Sequence, residues 1–82
     1  MMTVTVRYYA VLRDLTGRNV EDFEIPLNSS GQVLIERVVD RYPAVADYAP
    51  FLRLATTKEY ISKSTLLADD GEISLIPPVS GG

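Results

Sequence analysis

Cysteine and histidine are absent from the 82-residue sequence. Without cysteine the chain can form neither a disulfide nor a thiolate metal site, and without histidine it lacks the commonest general base and metal ligand. We therefore expect no metal site and no bound cofactor, and no side chain stands out as a catalyst. The missing cysteine also fits a cytoplasmic protein.

Long hydrophobic runs and a basic stripe are absent as well. The longest wholly apolar stretch is only a few residues, and residues 1–7 lack the apolar core of a signal peptide, so no membrane contact is expected. The formal charge is −3 with acids and bases interleaved, which argues against nucleic acid as a partner. With 46% apolar and 23% charged residues, the composition is that of one ordinary globular domain.

What the sequence does contain is a strand pattern at its start. Val4, Val6 and Tyr8 alternate with more polar residues, which predicts a strand with these three side chains on one buried face. A short helical turn is expected over residues 10–16. Gly17 follows it, where a left-handed C-terminal cap is wanted.

A second strand is predicted over residues 20–26, with Phe23 and Ile25 facing inward. Val20 breaks this alternation, so a bulge and an early start of the strand both remain open. The acidic residues in this strand are interpreted as a solvated edge; they are Glu21, Asp22 and Glu24.

The clearest helix is predicted over residues 30–42. Ser29 or Ser30 is expected to cap its first turn, and Pro43 to end it. Its buried face should consist of the apolar residues that recur at helical spacing, which are Leu34, Ile35, Val38, Val39 and Tyr42. Residues 44–52 give mixed signals, since a short helical spacing there is interrupted by Pro50.

The last third predicts short strands near residues 52–56, 60–61 and 72–76, the last one preceded by the turn signal Asp69-Asp70-Gly71. In the last strand Ile73 and Leu75 should face the core, and Ile76 the opposite face. The order of strand, strand, helix and further strands predicts an α+β fold, in which one mixed sheet packs on one main helix.

Charge is unevenly placed near the end of the sequence. No lysine or arginine follows Lys63, whereas Asp69, Asp70 and Glu72 are acidic, as is the terminal carboxylate. Such an end would suit a basic partner surface. The alternative interpretation is that Asp69 and Asp70 are solvated turn residues.

The sequence closes with Ile76-Pro77-Pro78-Val79-Ser80-Gly81-Gly82. Prolines cannot donate to a sheet and favour a stiff extended path, so strand pairing should stop there and the chain should lead outward. The five residues from Pro78 onward reach roughly 16–18 Å when extended, and the two glycines can pass a narrow channel. We therefore predict a domain over residues 1–76 and an extended carrier tail over residues 77–82.

The expected reactive group of this tail is the carboxyl of Gly82. A carboxylate must first be activated, for example as an acyl adenylate, before a nucleophile can replace the leaving group. Sulfide sulfur would then give a thiocarboxylate, which is a movable sulfur donor, and an amine would give an amide conjugate. Neither product needs a catalytic side chain on this chain, which agrees with the missing histidine and cysteine.

Residues 6–17, Val-Arg-Tyr-Tyr-Ala-Val-Leu-Arg-Asp-Leu-Thr-Gly, and the segment from Asp69-Asp70-Gly71 to the Pro-Pro-Val-Ser-Gly-Gly end resemble one known family. This family is the sulfur-carrying small subunits of molybdopterin synthase, which are ubiquitin-like β-grasp proteins. It often has two aromatic residues before the proline pair, where this chain has Leu75-Ile76. It also commonly has an Asn in the middle strand pair, where this chain has Ala55-Thr56-Thr57. The first departure keeps the site apolar, so the partner contact should survive.

The resemblance implies a carrier mechanism. An ATP-dependent activating enzyme would adenylate Gly82, and a sulfur donor protein would convert it to a thiocarboxylate. Inside a heterotetramer, the large synthase subunit would then bind the tail and pass the sulfur to a pyranopterin precursor. The residues that would line this contact are Ile76, Pro77, Pro78, Val79, Ser80 and Gly81. Catalytic side chains would belong to the large subunit, and this chain would be the sulfur-donating subunit of a transferase complex.

Three alternatives remain at this point. The same fold could carry sulfur for thiazole synthesis or for tRNA thiolation. It could instead be a ubiquitin-like modifier joined to lysines through Gly82. A plain binding module with an ordinary chain end is the third. Ile76 and Val79 are interpreted as partner contacts, and Arg7 and Arg13 as solvated surface residues.

Overall fold

A computed structural model describes residues 1–78 of the chain. Over these residues the chain forms β1 (Met2–Tyr8), α1 (Val11–Thr16), β2 (Val20–Ile25), α2 (Gly31–Arg41), β3 (Arg53–Ala55), β4 (Tyr60–Ile61) and β5 (Gly71–Ile76). Two 3-10 helices, Pro43–Asp47 and Ala49–Phe51, lie between α2 and β3. The sheet order is β2-β1-β5-β3-β4, with β1 and β5 parallel and the other neighbours antiparallel.

One face of this mixed sheet packs on α2, which confirms the predicted α+β class. The predicted inward residues of β1 are buried, and Ile73 and Leu75 of β5 are buried beside them. The stripe of α2 covers the same core, with Leu34, Ile35 and Val38 buried and Val39 and Tyr42 packed at its margin. The core therefore lies between the sheet and the long helix, as the two periodicities predicted.

The pairing of β1 with β2 settles the question that Val20 raised. The register is unbroken from Met2–Ile25 to Arg7–Val20, so this pair contains no bulge. The strand starts early, at Val20, which is exposed. Because side chains alternate along a strand, Glu21 takes the inward position in line with Phe23 and Ile25.

Local signals at the helix ends are mostly confirmed. Gly17 is left-handed with φ 71°, and its N–H donates to the carbonyl oxygen of Arg13 at 2.8 Å. Ser30 is the residue that caps α2, because its Oγ accepts from the N–H of Val33, whereas the Oγ of Ser29 donates to the carbonyl of Pro26. Pro43 opens the first 3-10 helix, so residues 43–51 form 3-10 turns instead of a further α-helix.

The turn before β5 fastens the start of that strand to β1. Asp69 Oδ1 accepts from the N–H of Thr3 at 2.9 Å, and the N–H of Asp70 donates to the Thr3 carbonyl at 2.8 Å. A Cβ on Gly71 would lie 2.9 Å from the carbonyl oxygen of Ala68, so this close approach requires glycine. None of the helices formed by residues 1–78 is long and apolar enough to cross a membrane.

Candidate functional site

The root of the predicted carrier tail lies at the end of β5. This strand runs between β1 and β3, and its last residues are paired on both sides, Leu75 with Tyr8 and Ile76 with Arg53. Hydrogen bonding to two neighbours fixes the position and direction of a strand. The chain therefore leaves the sheet at a defined point, between β1 and β3.

The two prolines that follow β5 have different surroundings. Pro77 is buried, whereas Pro78 is exposed. Proline has no N–H to donate, so the ladder loses its donors after Ile76, where β5 ends. Exposure thus begins at Pro78, the second residue of the predicted tail. Val79, Ser80, Gly81 and Gly82 lie outside the described residues, and their roles stay predictions.

Around this exit point, the outer face of the sheet carries aromatic and apolar side chains. Ile76 is half-buried on the face opposite to Ile73 and Leu75, as predicted. Tyr9 and Tyr60 are 43% and 63% exposed. Tyr9, Tyr60 and Ile76 are called the exit patch below. Large apolar groups next to a projecting chain end are typical of a surface that a partner covers.

Polar contacts hold the exit patch in place. The guanidinium carbon of Arg53 lies 5.8 Å from the ring centroid of Tyr60, and the Oγ of Ser74 donates to the hydroxyl of Tyr9 at 3.4 Å. Arg7 and Glu72 form an ion pair on the same face. The hydrogen bond and the charge of Glu72 raise the pKa of Arg7, so the guanidinium stays charged.

The acidic turn predicted as a contact for a basic partner lies elsewhere. Asp69 and Asp70 precede Gly71, at the opposite end of β5 from Ile76, which is roughly 17 Å away along an extended strand. Asp69 is engaged with Thr3 of the same chain. The acids of this turn therefore support the alternative interpretation, that of turn residues, and they do not border the tail.

The sequence interpretation missed a buried carboxylate near the same end of the sheet. The side chain of Glu21, predicted as part of a solvated edge, is only 8% exposed. Its oxygens accept from the hydroxyl of Tyr8 at 2.9 Å, from the hydroxyl of Tyr42 at 2.9 Å and from the Nη1 of Arg41 at 2.7 Å. The inward parity shared with Phe23 and Ile25 was the signal that could have revealed it.

In this cluster the surroundings favour the ionised form of Glu21 and the protonated form of Tyr8. Burial raises the pKa of Glu21, but the hydrogen bonds from Arg41, Tyr8 and Tyr42 outweigh it and hold the pKa below its ordinary value. Burial, followed by the hydrogen bond to Glu21, raises the pKa of Tyr8, so the phenol stays protonated and keeps donating. The cluster therefore joins β1, β2 and α2 through one charged acceptor and three donors.

No group of three or more acidic, histidine or cysteine side chains within residues 1–78 could hold a metal ion. The end of β5 is instead distinguished by apolar side chains and by the exposed Pro78 that follows the strand. Such a site can present a terminus to another protein, and the described residues there offer no evident acid–base pair.

Comparison with known proteins identifies similar chains. Residues 6–82 match the model of the ThiS family. A molybdopterin synthase sulfur carrier subunit from Homo sapiens is 30% identical over 82 residues, which cover 96% of this chain and 93% of the relative. A putative molybdopterin converting factor subunit 1 from Pyrococcus furiosus superposes with a TM-score of 0.85 at 26% identity, over 96% of this chain and 100% of that one. Small archaeal modifier protein 1 from Methanosarcina acetivorans superposes with a TM-score of 0.81 at 26% identity, over 100% of this chain and 98% of that one.

Proposed function

The chain belongs to the ThiS family and has the predicted β-grasp fold, and from this premise we propose that it is the sulfur carrier subunit of a molybdopterin synthase. The observation that carries the proposal is the end of β5. A strand paired on both sides delivers the Pro-Pro-Val-Ser-Gly-Gly ending from the centre of the sheet, next to an exposed apolar patch.

The proposed chemistry takes place at the carboxyl of Gly82. An ATP-dependent activating enzyme joins this carboxylate to AMP and releases pyrophosphate. A sulfur donor protein then supplies sulfur at the oxidation level of sulfide, which attacks the acyl carbon, expels AMP as the leaving group and leaves a thiocarboxylate. ATP is bound and consumed by the activating enzyme, and this chain binds no cofactor.

The proposed partner is the large subunit of the synthase, since a subunit that carries sulfur needs another subunit that uses it. The tail enters that subunit, while the exit patch contacts the surface around the entrance. Tyrosine and isoleucine side chains at the root of the tail suit such a contact, because aromatic and aliphatic groups dominate the cores of interfaces. The large subunit supplies the catalytic side chains, and the assembly belongs in the cytoplasm.

Mass spectrometry of the intact chain tests this proposal. Incubation with the activating enzyme, ATP and a sulfur donor should exchange one oxygen for sulfur on Gly82, and the product should support molybdopterin formation by the large subunit. The matched control is a variant with one residue added after Gly82, which should keep its fold and melting temperature. Undiminished sulfur transfer by the extended variant would contradict the proposal.

A second candidate, a protein modifier joined to lysines, is favoured by the likeness to small archaeal modifier protein 1. The same adenylated terminus could react with an amine in place of sulfur. Digestion of proteins from cells that express the tagged chain distinguishes the two. After cleavage with trypsin, lysines that carry residues 64–82 of this chain support a modifier, because no lysine or arginine follows Lys63. Recovery of a large synthase subunit with the intact chain supports the synthase, and recovery of thiazole or tRNA-thiolation enzymes would redirect the pathway.

A further inference from the structure

Phe51 is an exposed aromatic residue close to the exit point that the proposed function does not use. It ends the second 3-10 helix and is 63% exposed. Two residues later, Arg53 pairs with Ile76. Phe51 therefore lies within two residues of the position that pairs with Ile76, the last residue of β5 before Pro77 and Pro78.

The segment that carries Phe51 is held in place. The Nζ of Lys63 donates to the carbonyl oxygens of Ala49 and Pro50 at 3.1 and 3.2 Å, and the N–H of Phe51 donates to the carbonyl of Tyr48 at 2.9 Å. Leu52, which follows, is 4% exposed and belongs to the core. An aromatic ring on a braced segment loses little conformational entropy when a partner covers it.

We propose that Phe51 is an aromatic anchor for the large synthase subunit, which it contacts beside Pro78 at the mouth of the channel that takes the tail. The inference rests on the proposed function. Phe51 lies two residues before β3, which neighbours β5 on the side of Tyr60, so in this proposal it adds a third aromatic ring to the contact surface formed by the exit patch. Lys63 acts as a positioning residue, because it braces the turn through main-chain carbonyls.

The large subunit is the occupant that this arrangement fits best. Two subunits of one synthase must stay together while sulfur is transferred, and the narrow tail alone offers little area. Exposed aromatic residues at the centre of a contact commonly supply a large share of binding energy.

The test measures the dissociation constant of the full-length chain with its cognate large subunit by calorimetry. Phe51→Ser should weaken binding about 10- to 100-fold. Leu27→Ser is the matched control, because Leu27 is 62% exposed but follows the end of β2 that pairs with the start of β1. Leu66→Ser is a second control, equally exposed at 62%, in a segment that lines a groove with Gly71 at the start of β5. Both controls should stay within about threefold of the unsubstituted chain.

Two further variants keep the test decisive. Phe51→Leu retains an apolar group and should restore most of the affinity, even where Phe51→Ser is poorly folded. Lys63→Gln alone should weaken binding several-fold, but it should have no further effect when it is combined with Phe51→Ser. This double-mutant cycle measures the coupling between Lys63 and Phe51.

Binding by Phe51→Ser that equals binding by the Leu27→Ser control overturns the inference and leaves the proposed function standing. A chain without substitutions that does not bind the large subunit at all overturns both.

Discussion

Tyr8 and Tyr9 are neighbours in the sequence, yet they belong to two regions with opposite properties. Tyr8 is 2% exposed, and its hydroxyl donates to the buried carboxylate of Glu21 on the inner side of the sheet. Tyr9 is 43% exposed and belongs to the exit patch on the outer side. The polar groups of the inner cluster are used within the chain, whereas the outer rings are open to solvent. Under the proposed function, stability and partner binding belong to different faces of the same end of the sheet.

The largest expected effect follows from Glu21→Gln. This substitution removes the charge that three donors share, and hydrogen bonds to a buried charged group are stronger than neutral ones, so we expect a loss of about 2 kcal/mol in the free energy of unfolding. For a domain of this size the melting temperature should fall by roughly 10 °C. Glu24→Gln, on the exposed side of the same strand, is the control and should change little. If both variants lowered the melting temperature equally, the inner face would contribute no more to stability than the outer face.

Acidification probes the same cluster. Because the folded-state pKa of Glu21 lies below its ordinary value, the stabilisation is complete above the ordinary carboxyl pKa and is lost as the pH falls through the lowered one. The difference in melting temperature between the unsubstituted chain and Glu21→Gln should therefore be largest near neutral pH and should shrink in acid. A difference that is constant with pH would show that the charge of Glu21 is not what stabilises the fold.

On the outer face, Tyr60→Ser should weaken binding to the large synthase subunit by about tenfold. Its side chain is 63% exposed, so the melting temperature should stay within a few degrees. Calorimetric titration with the large subunit measures the first effect, and thermal unfolding measures the second. If Tyr60→Ser lowers the melting temperature but not the affinity, then Tyr60 stabilises the fold and does not contact the partner.

A milder pair of substitutions sharpens the comparison at the two adjacent tyrosines. Tyr8→Phe removes one donor from the Glu21 cluster and should lower the free energy of unfolding by about 1 kcal/mol. Tyr9→Phe removes only an exposed hydroxyl at 3.4 Å from Ser74 and should be nearly neutral. Chemical denaturation of both variants gives the two values. The contrast fails if Tyr9→Phe proves the more destabilising.

The smallest effect is expected from Arg7→Met. The ion pair between Arg7 and Glu72 is close but solvent-exposed on both sides, and exposed ion pairs contribute about 0–1 kcal/mol. The melting temperature should change by only a few degrees, and less so in high salt. If Arg7→Met lowered the melting temperature as much as Glu21→Gln, the outer face would also contribute substantially to the stability of the fold.

The sequence was sufficient for the parts of the fold in which alternation and helical spacing are regular. The strand over residues 2–8, the stripe of α2 and the last strand with Ile76 turned outward were all predicted. The position of Glu21 was not, because a carboxylate on an inward position looks unfavourable until its donors are known. Two of the three donors, Arg41 and Tyr42, come from the end of α2 and the residue that follows it, about 20 residues along the chain. Only the tertiary fold brings them together.

The candidate site was predictable to a different degree. The end of β5 and the prolines after it follow from local chemistry, since proline lacks an N–H. That Pro77 is buried and Pro78 exposed depends on packing against neighbours. That Phe51 lies near the end of β5 depends on the register between β3 and β5. Short strands with weak alternation do not specify this register in the sequence.

The position of β5 in the sheet also bears on how the chain is made. This strand is synthesised after β1 and β3, yet it lies between them and joins the two halves of the sheet. A ribosome-bound or prematurely ended chain without residues 71–76 has no bridge between those halves, so its apolar inner face stays open to chaperones and proteases. Only chains whose synthesis has passed beyond β5 can complete the sheet, so escape from proteolysis depends on the strand that leads to Pro77 and Pro78.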